Sequence, residues 1–406
     1  MNTYERFIVA AAVLGLSALA PVHAQEKLGT SGPTPSYRGG WTVTPSFGFT
    51  ETYDDNISLF GETTAPDSND DYIATYFPGV DLHYAGKHTR LSADYTGSFL
   101  SYQTFTVLNR WDQRTGMNLK RQETARFGWF ARGDAARLPS TDSIELGGLP
   151  YRHTGVTTFD SRGGADYVLS KRDSLTSSLN YQRVKFDRSP DLRSNLRGGD
   201  VLESMNIWRH KIDSRLAVGG DYSFRRARVV GDPEPFNIHT AEGAIDYELS
   251  SNWSFSGGAG FVRVEPTLLT PSRSGPAWRF NLEHHRGLTV FHVGYQRSYI
   301  PSFGFGGTVL NEEAGIGFRT PLFNSRRWYT DNSLVYRDNE PLTNIDEQLP
   351  LRSLRTYSVI GWTPQRWVRF EGFYSRTQQT SRRVGGQIYR NRVGFQIVTS
   401  KPVRVQ

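Results

Sequence analysis

Stretches of two-residue alternation recur along almost the whole chain, and beyond residue 24 no long apolar run interrupts them. In "RLSADYTGSF", Arg90 to Phe99, the residues Leu91, Ala93, Tyr95, Gly97 and Phe99 share one face, and Arg90, Ser92, Asp94, Thr96 and Ser98 share the other. "RLAVGGDYSF" splits the same way, with Leu216, Val218, Gly220, Tyr222 and Phe224 against Arg215, Ala217, Gly219, Asp221 and Ser223. Period two is the signature of a strand with two different environments. A soluble sandwich also alternates, but its aromatic face needs a second sheet to cover it. Here nearly every strand is greasy on one face, polar and small on the other, with Trp and Tyr near the ends. That pattern predicts an all-β fold, a transmembrane antiparallel up-and-down β-barrel with a lipid-facing aromatic wall and a polar lumen.

Composition agrees. A mean hydropathy of −0.52 excludes a bundle of membrane helices. Cysteine is absent, so no disulfide framework holds the chain. The net charge is +7; seven of the 47 basic residues are lysines, and 47 − 7 leaves 40 arginines. The opening "MNTYERFIVAAAVLGLSALAPVHA" has the layout of a signal peptide cleaved after Ala24. Export through such a segment removes nucleic acid from the partners a basic chain suggests. Residues 25–40 read as a flexible periplasmic leader, 41–400 as the barrel, and 401–406 as a short tail.

Eight short connections, "YAGKHTR", "LKRQETAR", "LSKRDS", "RHKIDSR", "ELSSNW", "EHHRGLT", "PLFNSRRW" and "TPQRW", alternate with longer polar ones such as "GETTAPDSNDD" and "LPSTDSIELGGLPY". Short periplasmic turns and longer outer loops are the asymmetry of outer-membrane barrels, and they place both termini in the periplasm. The hairpins give about eighteen strands. Sixteen stays open, because residues 106–122 and 198–212 are only weakly periodic. A barrel of this size encloses water unless a loop folds in. The Arg-rich "DRSPDLRSNLRGGD", residues 187–200, is the candidate constriction, with contact to anionic lipopolysaccharide outside the cell as an equal alternative.

Alternation places Arg90, Asp94, Arg114, Arg162, Asp166, Arg215, Asp221, Arg279, Arg369, Glu371, Arg390 and Arg392 on the lumen side. Opposite charges two residues apart, as in Arg369 and Glu371, fit cross-strand ion pairs that hold the wall together. They equally fit a polar track for an anionic or hydroxyl-rich solute, and the two roles are compatible. Nothing points to catalysis. The nine histidines are scattered, His284 and His285 point to opposite faces, and no metal-ligand or phosphate-loop spacing occurs, so neither metal nor cofactor is expected. Asp67, Asp70 and Asp71 in the first long loop read as solvated rather than as a cation site.

"YDDN", Tyr53 to Asn56, puts two carboxylates side by side. Alternation sends Tyr53 to the lipid side and Asp54 and Asn56 to the lumen, so Asp54 and Asp55 lie on opposite faces and cannot share a proton. The stretch "TPSFGFTETYDDNISL", followed by a long run of alternating strands, resembles the β-barrel porin type 2 family. That resemblance implies an outer-membrane channel associated with exopolysaccharide systems, and hence a passive pore for export of an extracellular polysaccharide. Two alternatives stand beside it: a general or anion-preferring diffusion porin for small polar solutes, and a non-conducting scaffold for periplasmic polysaccharide-export proteins. Outer-membrane lipid and lipopolysaccharide are expected partners in each case. The chain departs from the usual barrel ending on an aromatic residue, since "TSKPVRVQ" follows the last expected strand, Tyr389 to Val398.

Overall fold

The computed structural model describes residues 39–57, 69–139, 155–187, 196–230, 234–268, 272–303, 307–342, 351–381 and 387–405. The expected signal peptide and nearly all of the leader lie outside these. The strands are β1 (Gly40–Asp54), β2 (Asp71–Ala85), β3 (Thr89–Tyr102), β4 (Arg110–Gln122), β5 (Phe127–Pro139), β6 (Gly155–Val168), β7 (Asp173–Phe186), β8 (Gly199–Lys211) and β9 (Leu216–Val229). They continue as β10 (Phe236–Glu248), β11 (Trp253–Val264), β12 (Arg273–Arg286), β13 (Thr289–Pro301), β14 (Thr308–Pro321), β15 (Trp328–Pro341), β16 (Leu351–Gln365), β17 (Val368–Ser381), β18 (Gln387–Ser400) and a short β19 (Val403–Val405).

Each strand from β1 to β18 pairs antiparallel with its successor, and β18 returns to β1 from Ser46↔Ser400 to Asp54↔Arg392. The result is a closed barrel of eighteen strands with β19 appended. Closure leaves no long edge with unpaired backbone groups, which a bilayer would penalise. All eight expected short turns join strands at one rim, and the longer connections gather at the other. The two weakly periodic stretches are the strands β4 and β8. The tail does not leave the barrel: after Lys401 and Pro402 interrupt β18, β19 pairs with Trp41–Val43 of β1. The β12–β13 ladder stops at Trp278↔Arg297, short of the long-loop rim. Above it Tyr299 is buried rather than exposed.

Alternation separates two faces. Outward rings pack along the wall: Phe49 lies 5.2 Å from Tyr76 and 5.9 Å from Phe395, and Trp362 stacks on Trp328 and Phe370 at 5.7 and 5.5 Å. Trp41 and Tyr84, 5.0 Å apart, mark the short-turn rim, and Tyr53 and Tyr72, 5.2 Å apart, mark the other. These are two aromatic girdles around an apolar band.

From β6 to β12 the inner face is polar through most of its height and apolar near the long-loop rim, whereas near that rim β14 to β18 and β1 bury polar residues such as Asn311, Asn339, Arg390 and Asp54. Val156, Val184, Phe186, Val201, Ala227, Val229, Phe236, Ile238, Val262, Val264 and Ala277 form one buried cluster running from β6 to β12. Tyr299 and Phe303 from the β13 side join it. Phe303 packs beside Gly199, five strands away around the barrel, so the cluster fills space inside the wall. Phe303 is 5% exposed, and its burial contributes about 2 kcal/mol. Among the described residues, Phe303 at the start of the β13–β14 connection points into this space. Most of the Arg-rich segment expected to fold in, residues 188–195, lies outside the described residues. At its described end, Leu196 packs partly buried against the cluster.

Candidate functional site in the barrel lumen

The "YDDN" stretch ends β1 and joins the two ends of the barrel. Asp54 is fully buried, accepts Arg390 Nε at 2.8 Å from β18, and accepts the Asn56 backbone N–H at 3.1 Å. Asp55, on the other face, accepts the backbone and side-chain N–H groups of Asn391, both at 2.6 Å. Asn56 Nδ2 donates to the Tyr389 carbonyl at 2.7 Å, and Tyr53 OH donates to Asp70 at 3.3 Å. The two acids do lie on opposite faces. They are fasteners across the closing seam, each engaging a different residue of β18. The acidic loop is likewise dispersed: buried Asp71 accepts the N–H groups of Thr104 and Phe105, Asp70 serves Tyr53, and Asp67 lies outside the described residues. Among the described residues no group of three or more His, Cys, Asp or Glu side chains is placed to hold a metal ion.

A charge network spans β8 to β12. Arg209 reaches Asp221 at 3.1 Å and Asp246 at 2.7 Å, and Arg279 pairs with Asp221 and, at 2.6 Å, with Glu242. Three of these bonds reach past the neighbouring strand: Arg209 to Asp246 over β9, Arg279 to Glu242 over β11, and Arg279 to Asp221 over both β10 and β11. Glycine permits the crossing: a Cβ on Gly258 would stand 2.8 Å from both Arg279 Nε and Glu242 Oε2, and one on Gly219 would meet Arg209 Cδ at 3.0 Å. The alternating glycines of β9 and β11 thus leave room for arginines to bridge beyond their nearest neighbour.

The wall from β14 to β18 has a different balance. By register its inward charges are Arg319, Arg337, Arg355, Arg369, Arg390 and Arg392 against Glu313, Asp331 and Glu371, or six cations to three carboxylates. The facing wall, β5 to β9, carries Arg132, Arg162, Arg209, Lys211 and Arg225 against Asp134, Asp160, Asp166, Glu203 and Asp221, five of each. Within the cationic wall Arg337 pairs with Glu313 at 2.6 Å and Arg369 with Glu371 at 3.1 Å. Arg319 lies 4.4 Å over the Tyr329 ring, whose hydroxyl donates to Glu371. Arg355 stands apart, opposite Val335 and Thr377, with its Nε buried and without a hydrogen-bond partner.

By register, the strand residues of the expected track share one face of the wall. Asp221, Arg279, Arg369, Glu371 and Arg390 enter the ion pairs just described, and Arg162 donates to Ser178 Oγ at 3.2 Å. Asp166 accepts from Thr176 at 2.7 Å. Arg90, Asp94 and Arg114 face inward on β3 and β4, and Arg392 sits opposite Asp54 and Ser375. Arg215 differs in position, lying exposed in the turn before β9. Sequence reasoning missed Arg209, Arg225, Arg337 and Arg355. Arg355 sits in "LRSLRTYSVI", where polar residues fall on both faces and alternation assigns no face without the register, whereas Arg225 continues the polar face of β9 beyond Ser223.

No family model and no curated protein matches the chain. The link to the type 2 porin family therefore stands on "YDDN" and the barrel layout alone. Some solved structures align along most of the chain. Pseudomonas aeruginosa OpdQ matches over 90% of this chain and 98% of its own, at 9% identity and a TM-score of 0.45. Acinetobacter baumannii OccAB4 matches over 91% and 100%, at 9% and 0.48, and the outer membrane protein OpdK of P. aeruginosa over 89% and 99%, at 9% and 0.48. At such identity and score these matches carry nothing about solute or site.

Proposed function

We propose that this chain is a passive outer-membrane channel for small polar solutes that carry a negative group. The observation that carries this reading is the uneven lumen: an arginine-rich β14–β18 wall faces a wall of balanced charge. An anion passing through such a field follows the cationic wall, where guanidinium forks suit carboxylate or phosphate. Arg355 is the favoured contact, because its guanidinium is not committed to a carboxylate among the described residues. The short turns face the periplasm and the long loops face out.

Export of a polymer fits less well. The apolar cluster occupies the lumen beneath the outer rim from β6 to β12, and Phe303 ties it to the β13 side, so the described walls leave a narrowed passage. A reversal potential in a salt gradient across a planar bilayer tests the reading. Arg355→Gln combined with Arg392→Gln is expected to move selectivity toward cations. An unchanged reversal potential would count against the cationic wall as the solute path.

A further inference from the structure

Near the outer rim of β7 to β11 the usual membrane-barrel pattern is inverted, with apolar side chains inside and cations outside. Val184, Phe186, Val201, Ala227, Val229 and Val262 point into the buried luminal cluster. Alternating with them, Arg183 and Lys185 on β7, Arg226 and Arg228 on β9, and Arg263 on β11 point out and are exposed. Inward arginines of the same region behave differently: Arg209 and Arg225 each hold a carboxylate at 2.7 Å or closer. Among the described residues the five outward cations hold none. Asp187 is taken by Arg137, and Glu265 accepts from Asn237 at 2.7 Å and engages His239 at 3.0 Å. That leaves Asp200, between Arg183 and Arg228 in register, and Glu234 in the adjoining loop.

Five cations thus stand over two uncommitted carboxylates, spread across about 19 Å of wall at ordinary strand spacing. Directly below them on the same outer face lie Leu179, Tyr181, Tyr222, Phe224 and Phe261. The cations therefore sit where the apolar band ends, at the height of lipid headgroups.

We propose that this patch binds the phosphate groups of a phosphorylated glycolipid of the outer leaflet, its acyl chains lying on the aromatic residues beneath. The occupant follows from charge and position together: a multivalent anion matches a row of cations in excess of the carboxylates beside them, and only a lipid presents one immediately above an apolar band. The assignment rests on the orientation given above and is independent of whether the channel conducts.

The test uses the whole barrel in mild detergent, titrated with a bis-phosphorylated glycolipid or the same glycolipid stripped of phosphate, with bound copies counted by native mass spectrometry. The wild type is expected to retain the phosphorylated form preferentially. Arg183→Gln, Lys185→Gln, Arg226→Gln, Arg228→Gln and Arg263→Gln combined should lose it, each step costing about fivefold in affinity at an anionic surface. Arg352→Gln with Arg376→Gln should keep it, since those outward arginines are already engaged by Asp338 and Tyr389. Equal binding of the two glycolipids by the wild type would overturn the proposal, as would unchanged binding by the fivefold variant. Displacement by an equal concentration of inorganic phosphate would mean a free-anion site and would overturn it too. Should the fivefold variant fail to fold, the wild-type comparison and Arg226→Gln with Arg228→Gln decide the matter.

Discussion

Asp54→Ala tests how the barrel is closed. Asp54 is fully buried, its partner Arg390 has a side chain only 6% exposed, and the bond between them bridges the first and last long strands. Removing the carboxylate takes away the charge facing a buried guanidinium and an acceptor for the Asn56 N–H. Breaking one partner of a buried pair costs about 3–5 kcal/mol, because the remaining charge cannot be rehydrated. Asp55→Ala removes two hydrogen bonds at a wetter site, which sets its cost at about 1–3 kcal/mol. Replacing the buried pair together, Asp54→Ala with Arg390→Met, should recover most of the loss. Urea unfolding of the barrel in lipid vesicles, followed by tryptophan fluorescence, measures all three. A single-variant loss under about 1 kcal/mol would refute the reasoning, as would a double variant no more stable than the single.

Phe303→Ala removes the ring that packs against Gly199 across the lumen and should raise single-channel conductance while lowering stability by about 3 kcal/mol. Gly258→Val places a side chain where Arg279 meets Glu242 and should destabilise the barrel by about 1–3 kcal/mol, an effect Gly220→Ala should not share because a Cβ there meets only the Glu242 carbonyl at 3.8 Å. In the turn before β9, the Arg215 and Leu216 N–H groups hold the Asp213 carboxyl below the usual range. Its contribution is present above the unfolded carboxylate value of about 3.9 and is lost as pH falls through the lower folded value. The stability gap between wild type and Asp213→Ala should therefore be constant from neutral pH to about 5 and close below about 4.

The barrel was legible because a membrane wall forces alternation: in β3, β9 and β11 aromatics and glycines leave only one way to assign faces. The eight turns were legible for a similar reason, since short charged connections cannot cross the bilayer. The closing bonds were not, because nothing local in "YDDN" names residues some 336 positions away as its partners. The apolar luminal cluster escaped as well. Val184, Phe186, Val262 and Val264 sit at strand ends where the outer environment turns from lipid to headgroup and the greasy face moves inside, while alternation itself continues unbroken. Arg355 was hidden by a strand whose two faces are alike in polarity, so only its register with β15 and β17 places it in the lumen.

The most direct test of the channel reading is solute-driven swelling of liposomes that hold the purified wild-type barrel. Small sugar acids should enter faster than neutral sugars of the same size, and a long linear polysaccharide fragment should be excluded. Entry of the polysaccharide at a comparable rate, or no swelling with any solute, would contradict the account.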